Sequence, residues 1–174
     1  MNHKKIMNAY LIVRKLDFTL IRMKLADREH GSSWPKSKIE EAELLYIAYL
    51  SILLAYRDTE VSFAPPALAD EFWHQHILDT RKYVSDCLTL FGEYLHHFPY
   101  FGMRGPEDSK ALHQATAQMQ ILLSTHFYHL PQYRVIIEKF NLDSCSGCAG
   151  GSCSSCRSIF SNDSEQISTT QNNN

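Results

Sequence analysis

The chain has 174 residues, of which 44% are hydrophobic and 21% charged, the composition of an ordinary globular domain with a buried core. Its net charge of -2 gives no long-range field that would attract nucleic acid, so no charge-driven DNA or RNA binding is expected. The longest apolar run, residues 44–56, is too short to cross a bilayer, so we expect no membrane association and a cytoplasmic location.

Apolar residues at helical spacing predict helices, in chain order, at about residues 4–28, 35–57, 67–91, 106–129 and 132–140. The second helix is apolar nearly all round and is expected to lie at the centre of the fold. Gly92 is expected to end the third helix, and Pro131 the fourth. No alternating strand pattern appears, so the expected fold is all-α, a bundle of about four to five helices.

The composition changes sharply near residue 141. Residues 1–140 are expected to form the helical bundle domain. Residues 141–174 are rich in Ser, Gly, Cys, Asn and Thr, and such a segment cannot bury enough apolar surface to fold unaided. We therefore predict a flexible C-terminal tail that is disordered or is ordered by a metal.

The third predicted helix carries an unusual density of histidine, acid and aromatic side chains. Asp70 and His74 are four residues apart on one edge of its apolar face, so they can contact each other and share a metal ion. His76 and Tyr83 lie on the other edge. His74 and His76 point about 200° apart on a regular helix and cannot bind one ion together. The alternative is that these histidines only pack at the helix edge.

Partners for Asp70 and His74 are expected on the fourth helix. His96 and His97 are predicted to be out of reach, since a continuous helix climbs about 27 Å from His74 to Gly92 and the next five residues return only about 17 Å. An antiparallel fourth helix would instead bring His126 and His129 beside Asp70 and His74. Zinc, iron or manganese would accept such nitrogen and oxygen ligands. His3 looks like a surface residue and is assigned no role.

Four of the five cysteines form two CxxC pairs in the tail: Cys145, Cys148, Cys153 and Cys156. Four thiolates suit a zinc site, although the four residues between the pairs make a tighter loop than usual. The last three cysteines also match the spacing of some iron–sulfur ligands, with the fourth ligand upstream rather than downstream. Cuprous ion or a reversible dithiol are further alternatives. Cys87 is expected to be a buried core thiol.

A longer pattern of residues joins the histidine helix to the segment that follows it, comprising Asp70, Trp73, His74, His76, Tyr83, Gly92, Tyr94, His96, His97 and Pro99. This pattern resembles the core signature of the glycine-rich domain-containing protein-like family, in its bacterial stand-alone form. The resemblance implies an all-α domain in which Trp73, His76, Tyr83 and His97 are signature residues without a known role. It implies no established reaction.

Three functions are compatible with these features. The first is a non-enzymatic metal-binding helical module with a His/Asp helix site and a thiolate tail. The second is a metal-dependent enzyme that uses the His/Asp site, with Tyr83 or His76 as proton donor. The third is an interaction or carrier protein whose Cys tail is loaded or modified by a protein partner. No nucleophile–base pair, phosphate loop or zincin motif is present, which favours the first and third.

Overall fold

The computed structural model describes residues 3–145, and the side chains of residues 3–139. The helices are α1 (His3–Val13), α2 (Thr19–Ala26), α3 (Lys36–Tyr56), α4 (Ala67–Leu78), α5 (Thr80–Phe91), α6 (Pro106–Phe127) and α7 (Pro131–Cys145). No strand occurs among these residues, so the predicted all-α class is confirmed. There are seven helices in the described part because two of the predicted segments each divide into a pair.

Helix α3 is the centre of the fold. Every residue from Leu45 to Ile52 is buried, and α1, α2, α4 and α6 all pack against this helix. Nearly all faces of α3 are apolar, so neighbours are needed on every side to remove that surface from water. The predicted central position of this helix is confirmed.

The first predicted helix divides into α1 and α2 at residues 14–18. Asp17 Oδ1 accepts a hydrogen bond of 2.9 Å from the Thr19 amide, a local turn that starts a new helix. Phe18 is fully buried beside this turn and packs on the Tyr46 and Phe72 rings. The break in the helix therefore inserts an aromatic ring into the core.

The third predicted helix divides into α4 and α5 at Asp79. The Asp79 backbone is not helical (φ -81°, ψ 70°), and its side chain accepts from the Lys82 amide at the start of α5. Asp is among the best residues for this capping role because its carboxylate satisfies an otherwise unpaired amide. The hydrophobic periodicity continues through Asp79, which is why a single helix was expected.

Gly92 ends α5 as predicted. Its φ of +78° lies in the left-handed region, and its amide donates to the Leu88 carbonyl at 3.1 Å. Glycine adopts this conformation without the steric cost that a Cβ brings. The chain can therefore reverse sharply here and run back toward α4.

The chain divides into two units at residue 137, and the packing described here is that of the first, residues 3–137. Within the part of the chain that is described, no helix combines the length and the apolar character needed to cross a bilayer. The predicted boundary between bundle and tail at residue 140 stays a prediction.

Candidate metal centre

Two candidate ligands lie one helical turn apart on the edge of α4. Asp70 and His74 are four residues apart, so their side chains project from the same face of the helix. Asp70 Oδ2 and His74 Nε2 are 3.7 Å apart, and these side chains are 33% and 49% exposed. The structure thus brings together two of the predicted ligands in a position that solvent can reach.

His97 is the third member of this group. Its Nε2 atom lies 3.0 Å from Asp70 Oδ1 and 3.1 Å from His74 Nε2. Ligand atoms of all three residues lie within 4.8 Å of one another, and we call this group the His/Asp cluster. The expectation that His97 is out of reach of His74 is wrong. The break at Asp79 and the reversal at Gly92 fold the chain back, so His97 returns to α4.

A buried chain of hydrogen bonds holds the segment that carries His97. The Trp73 indole Nε1 donates to the Tyr83 hydroxyl at 2.9 Å, and that hydroxyl donates to the Leu95 carbonyl at 2.5 Å. Burial raises the pKa of Tyr83, so its hydroxyl stays protonated and remains a donor. The Trp73 and His97 rings are in edge contact, with centroids 4.6 Å apart. Trp73 and Tyr83 therefore position the backbone and the ring of the third cluster residue.

The two contacts of His97 Nε2 within the cluster cannot both be full two-centre hydrogen bonds at the same time. A neutral imidazole nitrogen carries either one hydrogen or one lone pair in the ring plane. His97 Nε2 lies at hydrogen-bond distance from both the Asp70 carboxylate and His74 Nε2. If it donates to Asp70, it cannot also accept from His74. A cation between the three groups would use a lone pair from each of them.

The spacing of the cluster suits a transition-metal ion. Ligand atoms about 2.0–2.1 Å from one ion stand about 2.9 Å apart at a right angle and about 3.3 Å apart at a tetrahedral angle. The two contacts of His97 Nε2, 3.0 Å to Asp70 Oδ1 and 3.1 Å to His74 Nε2, fall between these values. The third separation, 3.7 Å between His74 Nε2 and Asp70 Oδ2, lies above them. Two imidazole nitrogens with one carboxylate are a donor set that zinc and ferrous iron both accept.

A cleft of about 620 Å³ opens beside the cluster. Asp70 and His97 line it together with the apolar rings of Trp73, Phe63 and Phe101. His74 lies outside the lining. An ion held by the three ligands would therefore lie at the wall of the cleft, with one side toward the cavity.

Comparison with protein-family models gives a match to a family described as UCP032817-like, over residues 13–120. The matched span is more than half of the chain and contains all three residues of the His/Asp cluster. The chain belongs to the UCP032817-like family. The family description names no activity. The resemblance to the glycine-rich domain-containing protein-like family is therefore wrong, because the model that matches is a different one. Neither the curated proteins nor the solved structures gave a match.

His76 lies only two residues after His74, but it is a core residue of this UCP032817-like domain. It is 1% exposed, its Nδ1 contacts the Tyr46 hydroxyl at 2.9 Å, and its Nε2 contacts Asp86 Oδ2 at 3.0 Å. Burial lowers the pKa of His76 to about 4, against the opposing effect of Asp86, so the ring is neutral at neutral pH. Neither His76 nor Tyr83 is among the residues that line the cleft, so neither is placed there as the predicted proton donor.

The two predicted ligands on the fourth helix lie elsewhere, in a group with His3. His126 Nδ1 is 3.1 Å from His3 Nδ1, and the His129 and His3 ring centroids are 5.3 Å apart. The physical reason is that α6 packs on α1 and α3, so its C-terminal turn faces the start of α1. Burial, together with the neighbouring His3 and His129, lowers the pKa of His126. The structure therefore does not bring His126 and His129 to Asp70 and His74.

The predicted thiolate site falls almost entirely beyond what the structure describes. Cys148, Cys153 and Cys156 lie outside the described residues, and Cys145 is the last residue of α7 with a side chain that is not described. Cys87 is 3% exposed in the core of α5, which confirms its prediction as a buried thiol.

Sequence reasoning missed the part played by His97 and the cleft beside it. One signal could have shown the former: Asp79 followed by Thr80 is a helix-start pattern inside the continuous apolar periodicity. A break there shortens the climb from His74 to Gly92. The cleft had no such signal, because its lining residues come from segments far apart in the chain.

Proposed function

We propose that this chain binds one divalent transition-metal ion through Asp70, His74 and His97. The observation that carries the proposal is that the Asp70 carboxylate and the His74 imidazole converge on His97 Nε2, at 3.0 and 3.1 Å. Metal coordination uses a lone pair from each of the three groups, whereas hydrogen bonding gives the two contacts of His97 Nε2 one shared N–H at best. The function that this favours is a metal-binding helical module of the UCP032817-like family.

The donor set favours zinc or ferrous iron over magnesium or calcium. Imidazole is a good ligand for zinc and iron, while magnesium and calcium prefer oxygen ligands alone. Buried Trp73 and the partly buried Asp70 limit water around the ion on the protein side. Tyr83 supports His97 through Leu95, as groups behind the ligands usually do in metal sites.

Cobalt(II) binding tests the proposal, because cobalt replaces zinc and is coloured in protein sites. The full chain should carry Ser in place of Cys145, Cys148, Cys153 and Cys156, so that tail thiolates do not take up the ion. We expect one equivalent of cobalt to give visible absorption bands. The bands should disappear in His97→Ala and persist in His96→Ala, which removes the neighbouring exposed imidazole. Equal cobalt binding by both variants would contradict the proposal.

A metal-dependent enzyme is the second candidate function. One observation favours it: the cluster offers three protein ligands at the wall of a cleft of about 620 Å³. Catalytic zinc sites keep such an open position for water or substrate, whereas structural sites are closed by four protein ligands. The expected sign is metal-dependent hydrolysis of an activated ester that is lost in His97→Ala and kept in His96→Ala. Hydrolysis at equal rates by the metal-free protein would remove this candidate.

The carrier function and the thiolate tail stay part of the proposal on sequence grounds alone. Two CxxC pairs can hold zinc or an iron–sulfur cluster, or be loaded by a protein partner. Iron and sulfide analysis of anaerobically purified chain, with and without the four Ser replacements, would tell these apart. A cytoplasmic location, where thiols stay reduced, fits this part of the proposal.

A further inference from the structure

We propose that the cleft beside the His/Asp cluster binds a small carboxylate with an apolar body, whose carboxylate group contacts the metal ion and Arg104. This inference rests on the proposed metal site and names the class of molecule that the site would take. The lining of the cleft, its charge and the open side of the cluster support it.

The lining of the cleft suits an apolar molecular body. Its walls include six large apolar side chains: Tyr49, Phe63, Trp73, Phe98, Phe101 and Leu112. A volume of about 620 Å³ lies within the range of roughly 300–1,000 Å³ that small-molecule sites usually have. Aromatic walls with few charged groups favour a ligand whose larger part is aromatic or aliphatic.

The charges that line the cleft favour an anionic group at one end. Asp70 and Arg104 line the cleft together with His96 and His97, and with the histidines neutral the formal charges of Asp70 and Arg104 cancel. With a divalent ion at the cluster, the lining of the cleft would carry a net charge of about +2. A carboxylate would then be attracted by the ion and by the guanidinium together, and it would be attracted far less when the ion is removed.

The Arg104 side chain is 61% exposed and makes two contacts that orient its guanidinium. Its Nη2 donates to Asp108 Oδ1 at 2.6 Å, and the guanidinium lies 4.7 Å from the centroid of the Phe98 ring. Asp108 is itself fixed by the amides of Gly102 and Arg104, at 2.7 and 3.1 Å. A guanidinium has five N–H donors, so donors remain for a carboxylate after one is used in the hydrogen bond to Asp108.

The His/Asp cluster has an open side that faces the cleft. Asp70 and His97 both line the cleft, so an ion bound to them is reachable from inside it. Three protein ligands leave at least one coordination position of zinc or cobalt unfilled. A carboxylate oxygen is a suitable ligand for that position.

The test uses the cobalt-loaded full chain with the four tail cysteines changed to Ser. The probe is 4-phenylbutyrate, and the matched controls are its neutral amide and acetate, which lacks the apolar body. We expect 4-phenylbutyrate to change the cobalt absorption bands saturably. The amide and acetate should each require at least about tenfold higher concentration, since each lacks one of the two features that the cleft would recognise.

A variant separates Arg104 from the metal. Arg104→Gln should weaken 4-phenylbutyrate binding about tenfold and leave cobalt affinity unchanged, while Arg81→Gln, an exposed arginine outside the cleft, should change neither. Unchanged cobalt bands with 4-phenylbutyrate, or equal binding of the amide, would overturn this inference and leave the metal site standing. Failure of the chain to bind cobalt at all would overturn both.

Discussion

His74 and His76 are two residues apart on the same helix, yet their surroundings are opposite. His74 is half-exposed at the edge of α4, where it lies beside Asp70 and His97. His76 is buried and has a polar partner at each ring nitrogen, the Tyr46 hydroxyl and the Asp86 carboxylate. A step of two residues turns a helix by about 200°, so one imidazole reaches solvent and the other reaches the core. The comparison shows that a Trp-His-x-His sequence can combine a candidate ligand with a structural residue.

The largest difference between the His/Asp cluster and the buried surroundings of His76 is expected in metal affinity. His97→Ala removes a ligand, so zinc affinity should fall by more than the about 10–100-fold that loss of a supporting group costs. His76→Ala should leave zinc affinity unchanged, because that ring lies in the core and outside the cluster. Competition with a coloured zinc chelator measures both variants. A His76→Ala variant that loses zinc as strongly as His97→Ala would break the distinction.

Thermodynamic stability should depend more on the core residue His76 than on the cluster residue His74. His76→Ala deletes a buried ring and leaves the Tyr46 hydroxyl without its partner, so the free energy of unfolding should fall by about 3 kcal/mol. His74→Ala changes a half-exposed side chain and should alter it by about 0.5 kcal/mol or less without metal. Urea unfolding followed by circular dichroism gives both values. Equal destabilisation by the two substitutions would contradict the assignment of His76 to the core.

Acid should also destabilise the fold through protonation of His76. Its pKa is about 4 in the folded chain, below the ordinary value of 6.5, so the unfolded state binds more protons between these values. The stability that neutral His76 contributes is therefore present above about pH 6.5 and is lost as the pH falls toward 4. Between pH 7 and pH 5 the expected loss is about 2 kcal/mol. Urea unfolding of metal-free protein at both pH values tests this, and His76→Gln should show a smaller loss; an equal loss would assign it to other groups.

The smallest expected effect tests how the buried core is connected to the His/Asp cluster. Tyr83→Phe removes the hydroxyl that receives from Trp73 and donates to Leu95, behind His97. We expect zinc affinity to fall about tenfold and the free energy of unfolding to fall by about 1 kcal/mol. Tyr94→Phe is the matched control, because Tyr94 packs its ring against Tyr83 but is 40% exposed. If the control lowers zinc affinity as much as Tyr83→Phe, the hydroxyl does not position His97.

Much of the fold was predictable because it depends on local pattern. The apolar periodicity identified every helical segment of residues 3–145, and the all-round apolar character of α3 predicted its central position. The spacing of Asp70 and His74 predicted that they share a face. Local capping is harder to weigh against periodicity, and for this reason the break at Asp79 was not expected.

The rest of the site depends on long-range packing. His97 reaches Asp70 only because the chain breaks at Asp79 and reverses at Gly92, each by its own local chemistry. His126 and His129 share a helix face, but that periodicity does not specify which neighbour the face will meet. His126 in the last turn of α6 and His129 in the turn after it lie beside His3 at the start of α1.

The most direct test of the account is the nuclear magnetic resonance spectrum of the imidazole nitrogens during a zinc titration. It should use the full chain with the four tail cysteines changed to Ser. The account predicts that one equivalent of zinc shifts the Nε2 signals of His74 and His97 and leaves both His76 signals where they were. Unmoved signals from His74 and His97, or a zinc-dependent shift of His76 Nε2, would contradict it.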